Sequence, residues 1–322
     1  MRSRVSIKKI IFAIIAIVLV YGACRLYFAL TGGFTIANIT SDLPYDSRWE
    51  TAPLSPSEKE KIGQALNQEY TYLGKGCQAY VFGSQDGQYV LKFFKFQRFR
   101  PQIWFEPFTF IPAVENYQHE KGVERKLKLD KVMMSWMIAY EYLSKDTGVL
   151  YVHLNKTNSW NMTLNIRDKL GMSYPVDVDK MEFLLQRQAI MLCPKIEALM
   201  KQGSVAQAKN LIDSLLVMLL LEYSRGFADN DHALMQNTGV LDDRPIHIDV
   251  GQLIYNESVR DPAVYQQELF DKTYKFHQWL EKNFPELATH LQARLVSIIG
   301  IDYFYKKPYV HKGNVAKIPH QN

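Results

Sequence analysis

The sequence is poor in cysteine, and this scarcity excludes two classes of protein. The chain has three cysteines in 322 residues, at positions 24, 77 and 193. Their spacing matches no zinc-ligand pattern, and three cysteines are too few for a framework of disulfides. The sequence therefore favours neither a zinc module nor a small cystine-stapled secreted domain, and we expect the cysteines to serve packing.

The sequence also has no large excess of charge of either sign. Its formal net charge is +5, and the basic residues are spread along the chain. Nucleic-acid-binding proteins gather lysine and arginine on one face or arm, so we expect no nucleic-acid partner. With 47% hydrophobic and 22% charged residues, the composition is that of a globular protein rather than a disordered one.

A long apolar segment occurs at the N-terminus. Residues 1–9 form a basic N-terminus, and an uncharged apolar run follows from Ile10 to Cys24. This run is shorter than the roughly 20 residues that a bilayer-spanning helix needs. Continuing to Leu30 gives 21 residues if the Arg25 side chain extends to the lipid surface. We therefore predict that residues 10–30 are a single-pass membrane anchor.

A cleaved signal segment is the alternative interpretation of residues 10–30. The sequence Tyr21-Gly22-Ala23-Cys24 loosely resembles a lipoprotein cleavage box, although that box has leucine where Tyr21 stands. The basic residues on the N-terminal side of the apolar run predict that the N-terminus is cytosolic and that the body of the chain lies on the far side of the membrane.

The segment after the anchor differs in composition from the rest of the chain. Residues 31–66 contain a Gly-Gly pair and three prolines, which predicts a tether between membrane and domain. A short helix is expected from Ser57 to Gln68, with Ser55 or Ser57 as its N-cap.

Hydrophobic periodicity predicts strands followed by helices in the remaining chain. A hairpin with a turn at 85–87 precedes a long helix, three strands, a buried helix and a final helical region. The helix is expected at 125–144, the strands at 148–154, 162–166 and 183–188, the buried helix at 210–223, and the helical region at 262–300. We predict an α+β fold with an antiparallel sheet and one long helix at 67–188, a mainly helical part at 189–310, and a tail at 311–322.

Two segments are rich in residue types that bind ligands: one in glycine, followed by a lysine, and one in aspartate and asparagine. The first reads Leu73-Gly74-Lys75-Gly76-Cys77-Gln78-Ala79-Tyr80-Val81, and Tyr89-Val90-Leu91-Lys92 follows. Glycine lets backbone N–H groups approach an anion, because no Cβ is in the way. The second reads Asp229-Asn230-Asp231, then Asn237, then His247-Ile248-Asp249-Val250-Gly251.

In this order and spacing, the motifs resemble those of the protein-kinase-like superfamily over residues 68 to 300. The turn at Asp249 is similar to lipid-kinase versions of the Asp-Phe-Gly turn, which also read His-Ile-Asp. The resemblance implies a two-lobed kinase-like fold that binds ATP and Mg²⁺. It also implies transfer of the γ-phosphoryl group to a hydroxyl acceptor, whose identity the sequence leaves open.

The resemblance assigns roles to the residues of the first group. Gly74, Gly76 and Ala79 would cover the phosphates, and Val81 would cover the adenine. Lys92 would contact the α- and β-phosphates and be held by an acid on the long helix. Glu141 is the candidate for that acid, with Glu124 as the alternative.

The second group would supply the catalytic base and the metal ligands. Asp231 is assigned as the base because it lies eighteen residues before Asp249, and Asn237 and Asp249 would bind Mg²⁺. Asn237 follows Asp231 by six residues rather than the usual five, which leaves Asp229 open as the base.

Several departures from the family pattern keep other functions open. Ala79 replaces the third glycine, Val250 replaces phenylalanine, and no His-Arg-Asp triplet precedes the candidate base. The alternative is a pseudokinase that serves as a nucleotide-binding or scaffolding module. A third interpretation is a membrane-anchored globular protein in which the motifs are coincidental. The side of the membrane on which the domain lies is left open, since an enzyme that uses ATP requires a compartment that supplies it.

Overall fold

The computed structural model describes residues 7–101 and 110–305. Residues 1–6 of the basic N-terminus and the tail at 311–322 lie outside this range. The chain divides into two compact units, Met1–Tyr140 with Val149–Gln188 and Glu141–Gly148 with Ala189–Asn322. The first contains a seven-stranded sheet and the second is mainly helical, so the predicted α+β class is confirmed.

The first unit begins with a long apolar helix, α1, at Ile7–Thr31. Its segment Ile11–Thr31 has a mean hydropathy of 2.2, and within the described residues it is the one helix long and apolar enough to cross a membrane. The helix ends at Gly32 and Gly33, both with positive φ. A Cβ at Gly33 would lie 2.3 Å from the Phe28 ring, so this position excludes a side chain. Length and composition suit an anchor and a signal segment alike.

The sheet of the first unit is antiparallel except for one parallel pair. Its strand order is β4-β7-β3-β2-β1-β5-β6, and β1 and β5 are the parallel neighbours. The strands are β1 Tyr70–Lys75, β2 Ala79–Ser84, β3 Tyr89–Phe94, β4 Val149–His153, β5 Thr163–Arg167, β6 Ser173–Asp177 and β7 Phe183–Arg187. Of these, β6 was not predicted from the sequence.

The strand directions decide which turns lie at the same end of the sheet. β1 runs toward the turn 76–78, and β5 runs parallel to it with Thr71 opposite Arg167. The turn 168–172 between β5 and β6 therefore lies at the same end as 76–78. Tyr70 is paired with Ser84, which puts the turn 85–87 at the opposite end.

The segment 31–66 does not form the free tether that its glycines and prolines suggested. Phe34 and Ile39 are buried in the core beneath the sheet, and α2 (Ile36–Ile39) and α3 (Pro56–Leu66) cover it. The predicted cap of the short helix is present, since Ser55 and Glu58 form a capping box. Burial of the apolar side chains outweighs the turn-forming composition of the segment.

The long helix of the first unit, α4, spans Pro112–Glu141 and begins before the predicted start at residue 125. Its buried positions lie in its C-terminal half, where the Trp136 ring stacks on Phe94 of β3 at 3.9 Å. The last residue of α4, Glu141, belongs to the second unit.

The second unit packs helices around a short three-stranded sheet and a strand pair. Its hydrophobic core is centred on α7, which is buried along much of its length, as predicted for 210–223. The helices are α5 Ser144–Thr147, α6 Leu192–Lys201, α7 Val205–Ser224, α8 Leu234–Asn237, α9 Pro262–Asn283 and α10 Pro285–Ile299. The strands are β8 Ile190–Met191, β9 Phe227–Asp229, β10 Thr238–Leu241, β11 Arg244–His247 and β12 Leu253–Tyr255, in the orders β11-β10-β8 and β12-β9.

Candidate functional site

The glycine-rich segment forms the turn between β1 and β2. The Gly76 N–H donates to the Ala79 carbonyl at 2.9 Å and closes the turn. Gly74 of β1 is opposite Val81 of β2, and Val81 is opposite Lys92 of β3. The first unit therefore brings these three predicted residues together on neighbouring strands.

Lys92 lies in the middle of the sheet with 9% of its surface exposed. Successive side chains of a strand point to opposite faces of the sheet, and the neighbouring Leu91 and Phe93 face the core beneath it. The Lys92 side chain therefore lies on the face that carries Phe94 and, through the Phe94–Trp136 stack, helix α4. A buried ammonium group needs acceptors or a counter-charge.

The two candidate acids for Lys92 have different surroundings. Glu141 is exposed at the C-terminal end of α4. Glu124 is also exposed, and its carboxylate pairs with Lys121 one helical turn away at 2.9 Å. The pairing of Lys92 with Glu141 stays a prediction.

Sequence reasoning missed two cations that hold the glycine-rich turn. Lys95 donates through Nζ to the Gly76 carbonyl, and Arg98 donates to the Cys77 carbonyl. The Lys95 N–H donates to the Gln78 carbonyl at 2.8 Å. All three carbonyls of the turn therefore accept hydrogen bonds from residues just after β3. In the sequence, basic residues recur every three positions at 92, 95 and 98, and this spacing is the feature that could have indicated Lys95 and Arg98.

The electrostatic surroundings of this turn are cationic. Burial, followed by the charges of Lys75 and Arg98, lowers the pKa of Lys95 to about 8. The backbone N–H groups of Cys77 and Gln78 have no protein acceptor within the described residues. The turn thus combines free N–H donors with nearby positive charge, which is an arrangement that suits an anion.

In the second unit, Asp229 and Asp231 lie at the end of β9 in different environments. The buried carboxylate of Asp229 accepts from Lys272 Nζ at 3.1 Å, and Lys272 is equally buried. The other carboxylate oxygen of Asp229 accepts from the Asp231 N–H at 3.0 Å. Asp229 is therefore fixed in place by a buried ion pair.

Asp231 is half-buried and more accessible than Asp229. Its carboxylate accepts from the Ala233 N–H at 2.9 Å, a bond that orients the side chain without neutralising it. Helix α8 follows and ends at Asn237. Of the two aspartates, Asp231 has the environment that a general base requires.

The hairpin β10–β11 brings Asn237 and Asp249 onto adjacent chain segments. Thr238 is opposite His247, and the Ile248 N–H donates to the Asn237 carbonyl at 2.8 Å. Asp249 is exposed, and its carboxylate accepts from the Gly251 N–H at 3.2 Å. The second unit thus brings these two predicted metal ligands together, with Asp231 on the segment that leads into Asn237.

Buried polar atoms without partners occur at this hairpin. Asn237 is 7% exposed, and within the described residues its Nδ2 atom has no hydrogen-bond partner. The Thr238 hydroxyl next to it is buried and unpartnered as well. Buried polar groups in folded proteins are nearly always hydrogen-bonded. The Asn237 Nδ2 atom is a donor, so the partner that suits it is an acceptor oxygen.

A second buried ion pair fixes the other strand of the hairpin. His247 Nε2 lies 2.9 Å from a carboxylate oxygen of Glu222 on α7, and both side chains are buried. Burial works to lower the pKa of His247, but the charge and hydrogen bond of Glu222 outweigh it, so the pKa is raised. The pair fastens β11 to α7 two residues before Asp249.

The protein side chains alone do not make a complete metal site. Within residues 7–101 and 110–305, no cluster of three or more His, Cys, Asp or Glu side chains could hold a metal ion. Asp249 offers one carboxylate and Asn237 one amide.

Seven chains among the solved structures are similar to this one, whereas the comparisons by sequence find no match. No protein-family model matches the chain, and no curated protein matches it. A solved structure of the bifunctional kinase-methyltransferase WbdD is similar at 14% sequence identity with a TM-score of 0.32. The similarity covers 69% of this chain and 43% of that one, so it spans less than half of the WbdD chain.

Proposed function

We propose that this chain is a membrane-anchored, kinase-like phosphotransferase that uses ATP and Mg²⁺ and acts on a hydroxyl acceptor. The observation that carries the proposal is the β10–β11 hairpin, where the Ile248 N–H donates to the Asn237 carbonyl and so places Asn237 on the segment beside Asp249. The order of motifs in the sequence supports the same function.

The residues at the hairpin fit Mg²⁺ held jointly with phosphate. Mg²⁺ prefers oxygen ligands and is usually bound by one or two carboxylates together with substrate phosphates. Asp249 would supply the carboxylate, and Asn237 would supply its amide oxygen. The bound ion would neutralise the charge on the phosphates.

The glycine-rich turn would bind the phosphates through its backbone. Lys95 and Arg98 hold the turn carbonyls, while the N–H groups of Cys77 and Gln78 have no protein acceptor within the described residues. Gly74, Gly76 and Ala79 would cover the phosphates, Val81 would cover the adenine, and Lys92, held by Glu141, would contact the α- and β-phosphates.

Asp231 would act as the general base in the transfer step. The acceptor hydroxyl oxygen forms a bond to the γ-phosphorus, the bond from that phosphorus to the ADP oxygen breaks, and the hydroxyl proton passes to Asp231. The buried Asp229–Lys272 pair would keep the segment in place, since Asp229 also accepts from the Asp231 N–H. Positioning and charge neutralisation would supply most of the rate enhancement.

Helix α1 would anchor the enzyme, with its N-terminus in the cytosol. Its segment Ile11–Thr31 has the length and hydropathy of a membrane span. The basic residues before it favour the cytosolic side for the N-terminus.

A pseudokinase is the second candidate function, and one observation favours it. Glu141 is exposed, whereas an acid that holds the lysine of an active kinase is expected to be paired. In this alternative the chain binds nucleotide or serves as a scaffold without phosphoryl transfer.

Thermal unfolding with ATP, with and without Mg²⁺, tests nucleotide binding. We expect Mg²⁺ and ATP together to raise the melting temperature, because a ligand at 100 times its Kd stabilises the folded state by about 2.7 kcal/mol. An assay for γ-phosphate release or transfer then separates the two candidates. Binding with turnover supports the phosphotransferase, and binding without turnover supports the pseudokinase. A melting temperature that does not respond to ATP in either condition contradicts the phosphotransferase and the nucleotide-binding form of the pseudokinase.

A further inference from the structure

The C-terminal end of α1 is fixed to the glycine-rich end of the sheet. Lys75 Nζ donates to the Gly32 carbonyl at 2.5 Å and lies 4.5 Å from the centre of the Phe28 ring. The Tyr80 hydroxyl donates to the Gly33 carbonyl at 2.5 Å. These contacts lie within the first unit and involve the strands on both sides of the turn 76–78.

The turn 168–172 between β5 and β6 also contacts the end of α1. Lys169 Nζ donates to the Ala29 carbonyl at 3.5 Å. Leu170 and Met172 are 47% and 48% exposed. The turn therefore presents two apolar side chains and a cation beside the last turn of the apolar helix.

The acidic residue of this turn faces inward. Asp168 is buried, and its carboxylate accepts from the N–H groups of Leu170 and Met172 and from the Tyr174 hydroxyl. The outward surface of the turn is thus apolar and positive. At the neighbouring turn 76–78, Lys75, Lys95 and Arg98 add further positive charge.

The position of α1 sets the depth of these groups in a membrane. If Ile11–Thr31 spans the bilayer, then Thr31 and the residues beside it lie at the lipid surface. Side chains that contact the carbonyls of residues 29–33 must lie at the same level. Lysine heads beside anionic headgroups, with apolar side chains in the acyl boundary, are the arrangement that an interfacial segment adopts.

We propose that the turn 168–172, beside the C-terminal end of α1, rests on an anionic lipid surface. Leu170 and Met172 enter the boundary of the acyl chains, and Lys169 faces the headgroups. The inference depends on the membrane-anchoring part of the proposed function and is independent of phosphoryl transfer.

Site-specific fluorescence of the full chain in lipid vesicles tests this surface. Cys24, Cys77 and Cys193 are replaced by serine, and an environment-sensitive dye is attached to Leu170→Cys. The matched control carries Gln85→Cys, an exposed residue in the turn at the opposite end of the sheet. A third protein keeps Cys24 as its single cysteine and reports on α1, where Cys24 is exposed.

In vesicles of phosphatidylcholine and phosphatidylglycerol, lipid-borne quenchers should quench the dye at 170 several-fold more than the dye at 85. If the dye at 24 is quenched but the dyes at 170 and 85 are quenched equally and weakly, then the proposed contact of the turn with lipid is wrong and the membrane anchor stands. Absence of quenching at 24 would overturn the anchor and this proposal together.

In pure phosphatidylcholine, quenching at 170 should fall by at least half while that at 24 is retained. An unchanged value at 170 would overturn the assignment of anionic headgroups. None of these outcomes bears on ATP binding, which the thermal-unfolding experiment measures separately.

Discussion

The glycine-rich turn 76–78 of the first unit and the segment 229–231 of the second unit, which carries two aspartates, differ in how their charged groups are paired. At the turn 76–78, Lys95 and Arg98 bind backbone carbonyls, and no carboxylate is among the groups that shift the Lys95 pKa. In the second unit, Asp229 pairs with the buried Lys272, and Glu222 pairs with the buried His247, whose pKa is raised. Positive charge at the turn 76–78 is therefore available to an anion, whereas ion pairs in the second unit hold the segments around Asp231 and Asp249 in place.

Within the second unit, burial distinguishes the carboxylates held in pairs from the more accessible ones. Asp229 is fixed by Lys272, while Asp231, two residues later, has a backbone N–H as its hydrogen-bond partner. Asp249 is exposed and likewise accepts from a backbone N–H, two residues after the buried His247. In both places a buried pair positions an adjacent, accessible carboxylate.

Replacing the candidate base should give the largest effect. Asp231→Asn removes the group that accepts the proton and changes little volume. We expect phosphoryl transfer to fall by about 10² to 10⁴-fold, the usual contribution of a general base. ATP binding should be retained, because Asp231 serves the acceptor hydroxyl rather than the nucleotide. Transfer rates and ATP-dependent melting measure the two effects, and a fully active variant would remove Asp231 from the mechanism.

Breaking the buried pair should reduce stability rather than chemistry. Lys272→Met leaves the Asp229 carboxylate buried and uncompensated, so the free energy of unfolding should fall by about 3–5 kcal/mol. The matched control is Lys209→Met, which breaks an exposed pair with Glu286 and should cost less than about 1 kcal/mol. Equilibrium denaturation of both variants measures the difference. Equal losses would mean that the Asp229–Lys272 pair has no structural role.

The His247–Glu222 pair predicts a smaller, pH-dependent effect. The pKa of His247 is raised from its usual 6.5, so its contribution to stability is complete below that value and is lost as the pH rises through the folded-state pKa. The free energy of unfolding should therefore fall with rising pH, by at most about 1.4 kcal/mol per unit from this group.

The Glu222→Gln variant supplies the control for that pH dependence. Without the carboxylate, burial is the largest influence on His247 and lowers its pKa, while the smaller effects of the Asp229 and Lys272 charges have opposite signs. The contribution of His247 should then favour stability at higher pH instead. Denaturation curves between about pH 6 and pH 9 measure both proteins, and their difference cancels the other titrating groups. Parallel pH profiles would contradict the ion pair.

Local sequence patterns predicted most of the secondary structure. The three later strands fall within a residue of β4, β5 and β7, and the buried apolar helix corresponds to α7. The capped helix near Ser55 was also expected, because a capping box is a local signal. Such features depend on residues a few positions apart, so periodicity and turn chemistry reveal them.

The features that were missed depend on residues far apart in the sequence. The Asp229–Lys272 pair joins residues 43 positions apart, and Glu222 and His247 are separated by 25. Burial of Phe34 and Ile39 depends on a sheet formed later in the chain, so the segment 31–66 was expected to be a tether. For the candidate site, spacing alone left Asp229 and Asp231 as alternatives, and the buried partner of Asp229 distinguishes their environments.

The most direct test of the central claim is the magnesium-dependent effect of ATP on Asp249→Asn. The matched control is Asp243→Asn, the same change in the turn of the same hairpin, where the carboxylate is exposed and pairs with Lys195. We expect Mg²⁺ and ATP to raise the melting temperature of the natural chain and of the Asp243 variant, but not that of the Asp249 variant. A full magnesium-dependent shift in Asp249→Asn would contradict a metal-binding role for Asp249, because it would show that the nucleotide and metal bind without its carboxylate.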